Sequence, residues 1–255
     1  MKKRTILTSG VLIAAAMLIP MLSNAQKTVN YKVVKVQGQI QRLKTGNMLS
    51  VGENVVSNEN FDFKTSYSRA VVINKDRGCM ILSAQAGSSG AQFLPSSSNM
   101  SVRAAQPAYP SDVLNYYYGD ILITGFDSLK VNEKSLKLDD KNYFTATYSI
   151  DGKEQTEILI LSNGKLVLPK TIVENHPEKV VISYNDEFGV NSKSEFTPVY
   201  ADKEVLKGEV DMIFNTMKGK RAEKVKAVTN MVNNFYGKAD EPAVDAWIKN
   251  NTKHH

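Results

Sequence analysis

Residues 31–82 read YKVVKVQGQIQRLKTGNMLSVGENVVSNENFDFKTSYSRAVVINKDRGCMIL, short apolar runs separated by glycine turns. Val33, Val34 and Val36 make a β-branched strand that stops at Gly38. Ile40 stands apolar among polar neighbours, and Gly46 turns the chain. Leu49, Val51 and Val55 frame a second turn at Gly52. Phe61 and Phe63 alternate with Asn60, Asp62 and Lys64, the period of a half-buried strand. Residues 70–73 and 79–82 are unbroken apolar runs, and the turn residues 74–78 between them predict a hairpin. Short strands at this spacing, with no helix-period stretch among them, predict a small barrel or tight sandwich over 26–82.

The pattern Val36-x-Gly38-x-Ile40, Leu49-x-x-Gly52-Glu53-x-Val55, Ser68-x-Ala70-Val71-Val72-Ile73 and Gly78-x-x-Ile81-Leu82 resembles FecR-type domains. The resemblance covers about residues 33–82. It implies an exported, non-catalytic β-module of the kind found in envelope regulators and wall-associated proteins. Unlike the transmembrane regulators of that family, this chain carries no internal membrane helix, so signalling to a sigma factor is not implied. The whole layout also resembles uncharacterised secreted proteins of Gram-negative envelopes.

Working outward, residues 1–25 have the three parts of a secretory signal. Lys2, Lys3 and Arg4 form a positive end, 11–19 an apolar centre, and Ser23-Asn24-Ala25 places small residues before a cut ahead of Gln26. Export to the periplasm or beyond is the expectation, with no integral membrane segment after cleavage. Residues 83–111 are rich in Ser, Ala and Pro and read as a linker, with Phe93 and Leu94 as apolar anchors that could dock it.

From 112 to 200 the pattern is again β. Residues 113–126 read as an apolar, aromatic strand region. Phe144, Ala146, Tyr148 and Ile150 alternate with polar residues. Asp151-Gly152 and Asn163-Gly164 are hairpin turns, because both central residues of such turns take positive φ. Six or seven strands in this span predict a β-sandwich resembling immunoglobulin-like modules. Over 201–250 the period becomes helical. Leu206, Val210, Ile213, Phe214 and Met217 form one stripe, and Ala222, Val225, Val228, Val232 and Phe235 a second. A third helix opens at Pro242 and carries Val244, Trp247 and Ile248. The fold class is therefore mainly β: a small N-terminal barrel or sandwich, an immunoglobulin-like sandwich and a short helical segment.

The formal net charge is +6, and the three basic residues of the leader account for half of it. A net +3 after cleavage is too mild for nucleic acid as partner. The balance is uneven: 26–105 carries +6, 106–200 carries −5 and 201–255 carries +2. Lys32, Lys35, Arg42 and Lys44 are expected to present a basic docking surface on the front module.

Chemistry-bearing constellations are few. Cys79 is the sole cysteine, so it forms no internal disulfide, and it sits in an apolar run. The histidines, His176, His254 and His255, are not spaced as metal ligands, and no cofactor or metal site is expected. Ser162-Asn163-Gly164-Lys165 matches Ser-x-x-Lys in letters but falls on a hairpin turn. No catalytic residue is assigned. The best binding candidates are Tyr109, Tyr116, Tyr117 and Tyr118, since aromatic rings stack on sugar faces and anchor interfaces. A strand over 116–118 would point at least one ring outward. The expected function is an exported, non-enzymatic binding or scaffolding protein of the bacterial envelope, with a protein or glycan partner. An envelope sensor, or an exported hydrolase or hydrolase inhibitor, is the alternative.

Overall fold

A computed structural model describes residues 28–85, 90–96 and 106–254. The leader at 1–25 and parts of the expected linker lie outside the described residues. The front module holds strands β1 (Asn30–Gln37), β2 (Ile40–Arg42), β3 (Asn54–Val56), β4 (Phe61–Phe63), β5 (Arg69–Asn74), β6 (Gly78–Ala84) and β7 (Ala91–Pro95). Five of them form one sheet in the order β3-β1-β5-β6-β7, and β2 pairs with β4. The expected hairpin joins β5 to β6. Asn74 Oδ1 accepts from the backbone N–H of Asp76 and of Arg77, each at 2.9 Å, which sets the turn.

The expected linker is corrected in part. Its residues 91–95 are β7, paired with β6 in the register Leu82↔Phe93. Phe93 stacks on Tyr31 with ring centroids 4.9 Å apart. The module thus extends beyond residue 82, because alternate side chains of a Ser- and Ala-rich stretch suffice to complete a sheet edge.

The apolar run at 70–73 has no polar alternation because the sheet is buried on both faces. Ala70 and Val72 join Tyr31, Val33, Ile40, Phe61 and Leu82 in the module's own core. Val71 and Ile73 point the other way, with Val34 and Cys79, into a second core. Val33 and Val34 enter different cores by ordinary strand alternation, and the register shift in β1 between Val33 and Lys35 lets Lys35 follow Val34 onto the helix-covered face.

The second region runs α1 (Pro110–Tyr116), β8 (Gly119–Leu122), β9 (Ser128–Lys130), β10 (Tyr143–Ile150), β11 (Lys153–Ile158), β12 (Ile160–Ser162), β13 (Lys165–Val167), α2 (Lys170–Asn175), β14 (Val180–Asp186) and β15 (Gly189–Val199). One sheet has the order β11-β10-β14-β15-β8, and β12-β13-β9 form another. All pairs are antiparallel except β15 with β8, which is parallel. Both sheets contribute to one core that includes Leu129, Phe144, Ala146, Leu166, Ile182 and Phe196. Asp151 and Asn163 each adopt φ 51°, followed by Gly152 at 75° and Gly164 at 73°, so both hairpin turns form as expected.

The expected strand over 113–126 is half helix. Pro110 opens α1, and Asp112 Oδ2 accepts from the backbone N–H of Ala108 and Tyr109, each at 3.1 Å. Val113, Leu114 and Tyr117 are the buried positions, a helical rather than a strand spacing.

The last segment is helical as expected: α3 (Lys203–Thr216), α4 (Arg221–Phe235) and α5 (Glu241–Asn251). Asp202 caps α3 through the N–H groups of Glu204 and Val205, and Asp240 caps α5 through that of Ala243. Of the anticipated stripe residues, Ala222 is exposed, Met217 and Phe235 are half-buried, and the others are buried. Leu206, Val210, Ile213, Val228, Val232 and Trp247 pack with Val34, Val71, Ile73 and Cys79 of the front sheet, and with Leu122 and Phe126 of the second region. The helices therefore cover the second face of the front sheet and join it to the second region. The connection between α4 and α5 runs beside β8: Leu122 N–H donates to Lys238 O at 3.1 Å and Lys238 N–H donates to Asp120 O at 2.8 Å. No helix among the described residues is long and apolar enough to cross a membrane.

Candidate functional site

The four candidate tyrosines cluster around α1, but the structure divides them. Tyr117 is buried, 1% exposed, and packs its ring 5.4 Å from Phe196 and edge-on to Tyr116 at 5.2 Å. Burial pushes its hydroxyl well above the ordinary tyrosine range, with Tyr116, Asp127 and Asp240 adding to the shift. Tyr116 is half-buried against the same core, and its hydroxyl is raised by desolvation and by Asp240. These two are structural residues, which corrects the expectation that they bind a partner. Tyr109 precedes α1 and Tyr118 follows it, and they are 67% and 69% exposed.

The helix between these rings is clamped from the far end of the chain. Lys238 Nζ donates to Tyr118 O at 2.9 Å and to Asn115 O and Tyr116 O at 3.3 Å each. A lysine ammonium on the last carbonyls of a helix meets both their unpaired acceptors and the negative end of the helix dipole. Burial lowers the Lys238 pKa, and among the described residues it makes no ion pair; carbonyl oxygens hold it. Its ammonium also lies 6.0 Å from the Tyr118 ring centroid. Nothing in the local sequence around the tyrosines signals this contact, because its partners lie about 120 residues apart.

The expected docking surface is also divided. Lys32 and Lys44 are exposed, with no ion pair among the described residues. Lys35 turns inward: its Nζ meets Glu209 Oε1 at 3.1 Å and lies 3.9 Å from the Tyr236 ring centroid. Tyr236 OH donates to the other oxygen of Glu209 at 2.8 Å. Arg42 is likewise engaged, with Glu59, with Glu53 at 3.2 Å and with Asn54 O at 2.7 Å. Lys35 and Arg42 are therefore corrected from docking residues to internal ties. Lys35 couples β1 to α3, and Arg42 holds the loops of the front module together.

A groove opens beside α5, lined by the loop 124–128, Lys165 at the start of β13, Lys203 at the start of α3, and the outer face of α5 with Trp247, and holds about 380 Å³. Phe126 and Trp247 stack behind it with ring centroids 6.1 Å apart and an interplanar angle of 16°.

Other candidates do not assemble a reactive centre. Cys79 is buried in the core shared by the front sheet and the helices, which pushes its thiol up to about 12 and keeps it protonated at neutral pH. His176 ends α2 in the left-handed conformation and stacks on Tyr200 at 4.2 Å. Ser162 and Lys165 sit on the β12–β13 hairpin, paired directly across it. Among the described residues no group of three His, Cys, Asp or Glu side chains is placed to hold a metal ion. The chain matches no protein-family model, no curated protein and no solved structure.

Proposed function

We propose that the protein is exported to the bacterial cell envelope and acts there as a non-enzymatic binding or scaffolding protein, with the α1 edge as its contact surface and a wall polysaccharide as its partner. The observation that carries this reading is the pair of exposed rings, Tyr109 and Tyr118, at the two ends of a helix that Lys238 holds rigid. A tyrosine ring offers an apolar face to the C–H face of a sugar and a hydroxyl to its oxygens. A backbone already fixed by the fold loses little entropy on binding. The exposed amide of Asn115 lies between them on the helix. The signal-like residues 1–25 and the FecR-like pattern at 33–82 support the envelope location.

The test is co-sedimentation of purified protein with isolated cell-wall sacculi. The native chain is expected to sediment with the wall, and the Tyr109→Ala/Tyr118→Ala pair to lose at least about tenfold in affinity. Absence of native binding, or full binding by the double variant, contradicts the proposal.

A further inference from the structure

The groove beside α5 carries charges of both signs, from Asp127, Lys165 and Lys203. Asp127 is half-buried, and its carboxylate has no ion pair or side-chain hydrogen bond among the described residues. Lys203, also in the lining, is exposed and has no ion pair among the described residues; Lys165 is exposed as well and lies close enough to Asp240 to pull down a carboxyl that burial raises, without forming an ion pair. Other partly buried charges are matched by an ion pair, as in Lys35 with Glu209, Arg42 with Glu59 and Arg221 with Asp245, or by hydrogen bonds, as in Lys238 with the carbonyls at the end of α1.

The apolar side of the groove is held in place. Gly125 has φ +73°, and a Cβ there would lie 2.7 Å from Trp247 Cδ1 and 2.9 Å from Nε1. Only glycine lets the loop close onto the indole edge. Ala243 and Ala246 keep the facing side of α5 low, which leaves the space open.

We infer that this groove binds a small ligand carrying both an ammonium and a carboxylate, of the class of a free amino acid or the end of a short peptide. The ammonium meets Asp127, the carboxylate meets Lys165 and Lys203, and the apolar part rests against Trp247 and the two alanines. Charge-assisted contacts of both signs fix the ligand's direction, and the volume lies in the range of small-molecule sites. This site does not depend on the tyrosine surface of α1.

Trp247 is the sole tryptophan of the chain, so its fluorescence reports on the groove directly. The full chain is titrated with alanyl-alanine, with its N-acetyl form and with its amide, up to about 10 mM, where even a millimolar Kd is saturable. The free dipeptide is expected to give a saturable change, and each blocked form to bind at least tenfold more weakly. Asp127→Asn is expected to weaken the free dipeptide tenfold while leaving the weak binding of the N-acetyl form unchanged. Lys203→Gln, an exposed site whose change leaves folding intact, is expected to do the converse for the amide. No saturable change with the free dipeptide, or equal binding of free and blocked forms, overturns the inference.

Discussion

Replacing Lys35 by methionine tests how the front sheet is tied to the helices. Lys35 holds Glu209, whose side chain is only 5% exposed, and the Lys35 side chain is 17% exposed. Methionine keeps the apolar stem and removes the charge, so Glu209 retains only the Tyr236 hydroxyl. Breaking a buried pair from one side costs about 3–5 kcal/mol, and the remaining water access of Lys35 puts this case near the lower end, about 3 kcal/mol.

The loss depends on pH with a definite sign. Burial raises the Glu209 carboxyl above its ordinary range even though Lys35 and Tyr236 pull it down. A carboxyl raised on folding contributes its stability fully below its unfolded pKa, and loses it as pH rises through the folded pKa. Removing Lys35 raises the folded pKa further, so the penalty is small in acid and complete near neutrality. Urea unfolding between about pH 4 and about pH 7.5 reads this directly. The expected loss is about 3 kcal/mol near neutrality, falling below about 1 kcal/mol in acid, with most of it recovered in Lys35→Met/Glu209→Gln. A loss of equal size at both ends of that range, or none near neutrality, would show that Lys35 does not stabilise the Glu209 carboxylate.

Three further outcomes follow from the same packing. Tyr117→Ala is expected to cost about 3–5 kcal/mol by emptying a buried aromatic site, whereas Tyr118→Ala changes stability by no more than about 0.5 kcal/mol; chemical denaturation separates the two, and similar losses would contradict the division. Gly237 has φ +125°, and a Cβ there would lie 2.8 Å from Asp120 O, so Gly237→Ala is expected to lower stability by about 1–3 kcal/mol, and an unchanged melting temperature would refute this. Asp202→Ala removes the cap of α3 and is expected to cost about 1 kcal/mol in a thermal melt; a larger loss would point to a role beyond capping.

The local signals in the chain were legible where geometry is local. Asp151-Gly152 and Asn163-Gly164 demand positive φ, and the three C-terminal stripes repeat at helical spacing, so these elements form where expected. The aromatic run at 116–118 was ambiguous, because Val113, Leu114 and Tyr117 satisfy a helix and their β-prone neighbours satisfy a strand. Pro110 and Asp112 decide for the helix. What could not be read locally is pairing across the chain. Lys35 and Glu209 are 174 residues apart, and Lys238 reaches back to α1 over more than a hundred residues. Two of the four expected docking cations and two of the four tyrosines were lost to such contacts. Asp127 carried no motif, and only the fold shows it facing a groove with Lys165, Lys203 and Trp247.

The helices, the face of the front sheet that carries Cys79, and β8 share one core and are predicted to unfold together. The chain carries one probe on each side of that core: Trp247 on α5 and the sole cysteine on β6. Denaturant unfolding followed by Trp247 fluorescence and by labelling of the Cys79 thiol is predicted to give coincident transitions with one midpoint. A thiol that becomes reactive while the Trp247 signal is still native, or the reverse, would contradict the shared core.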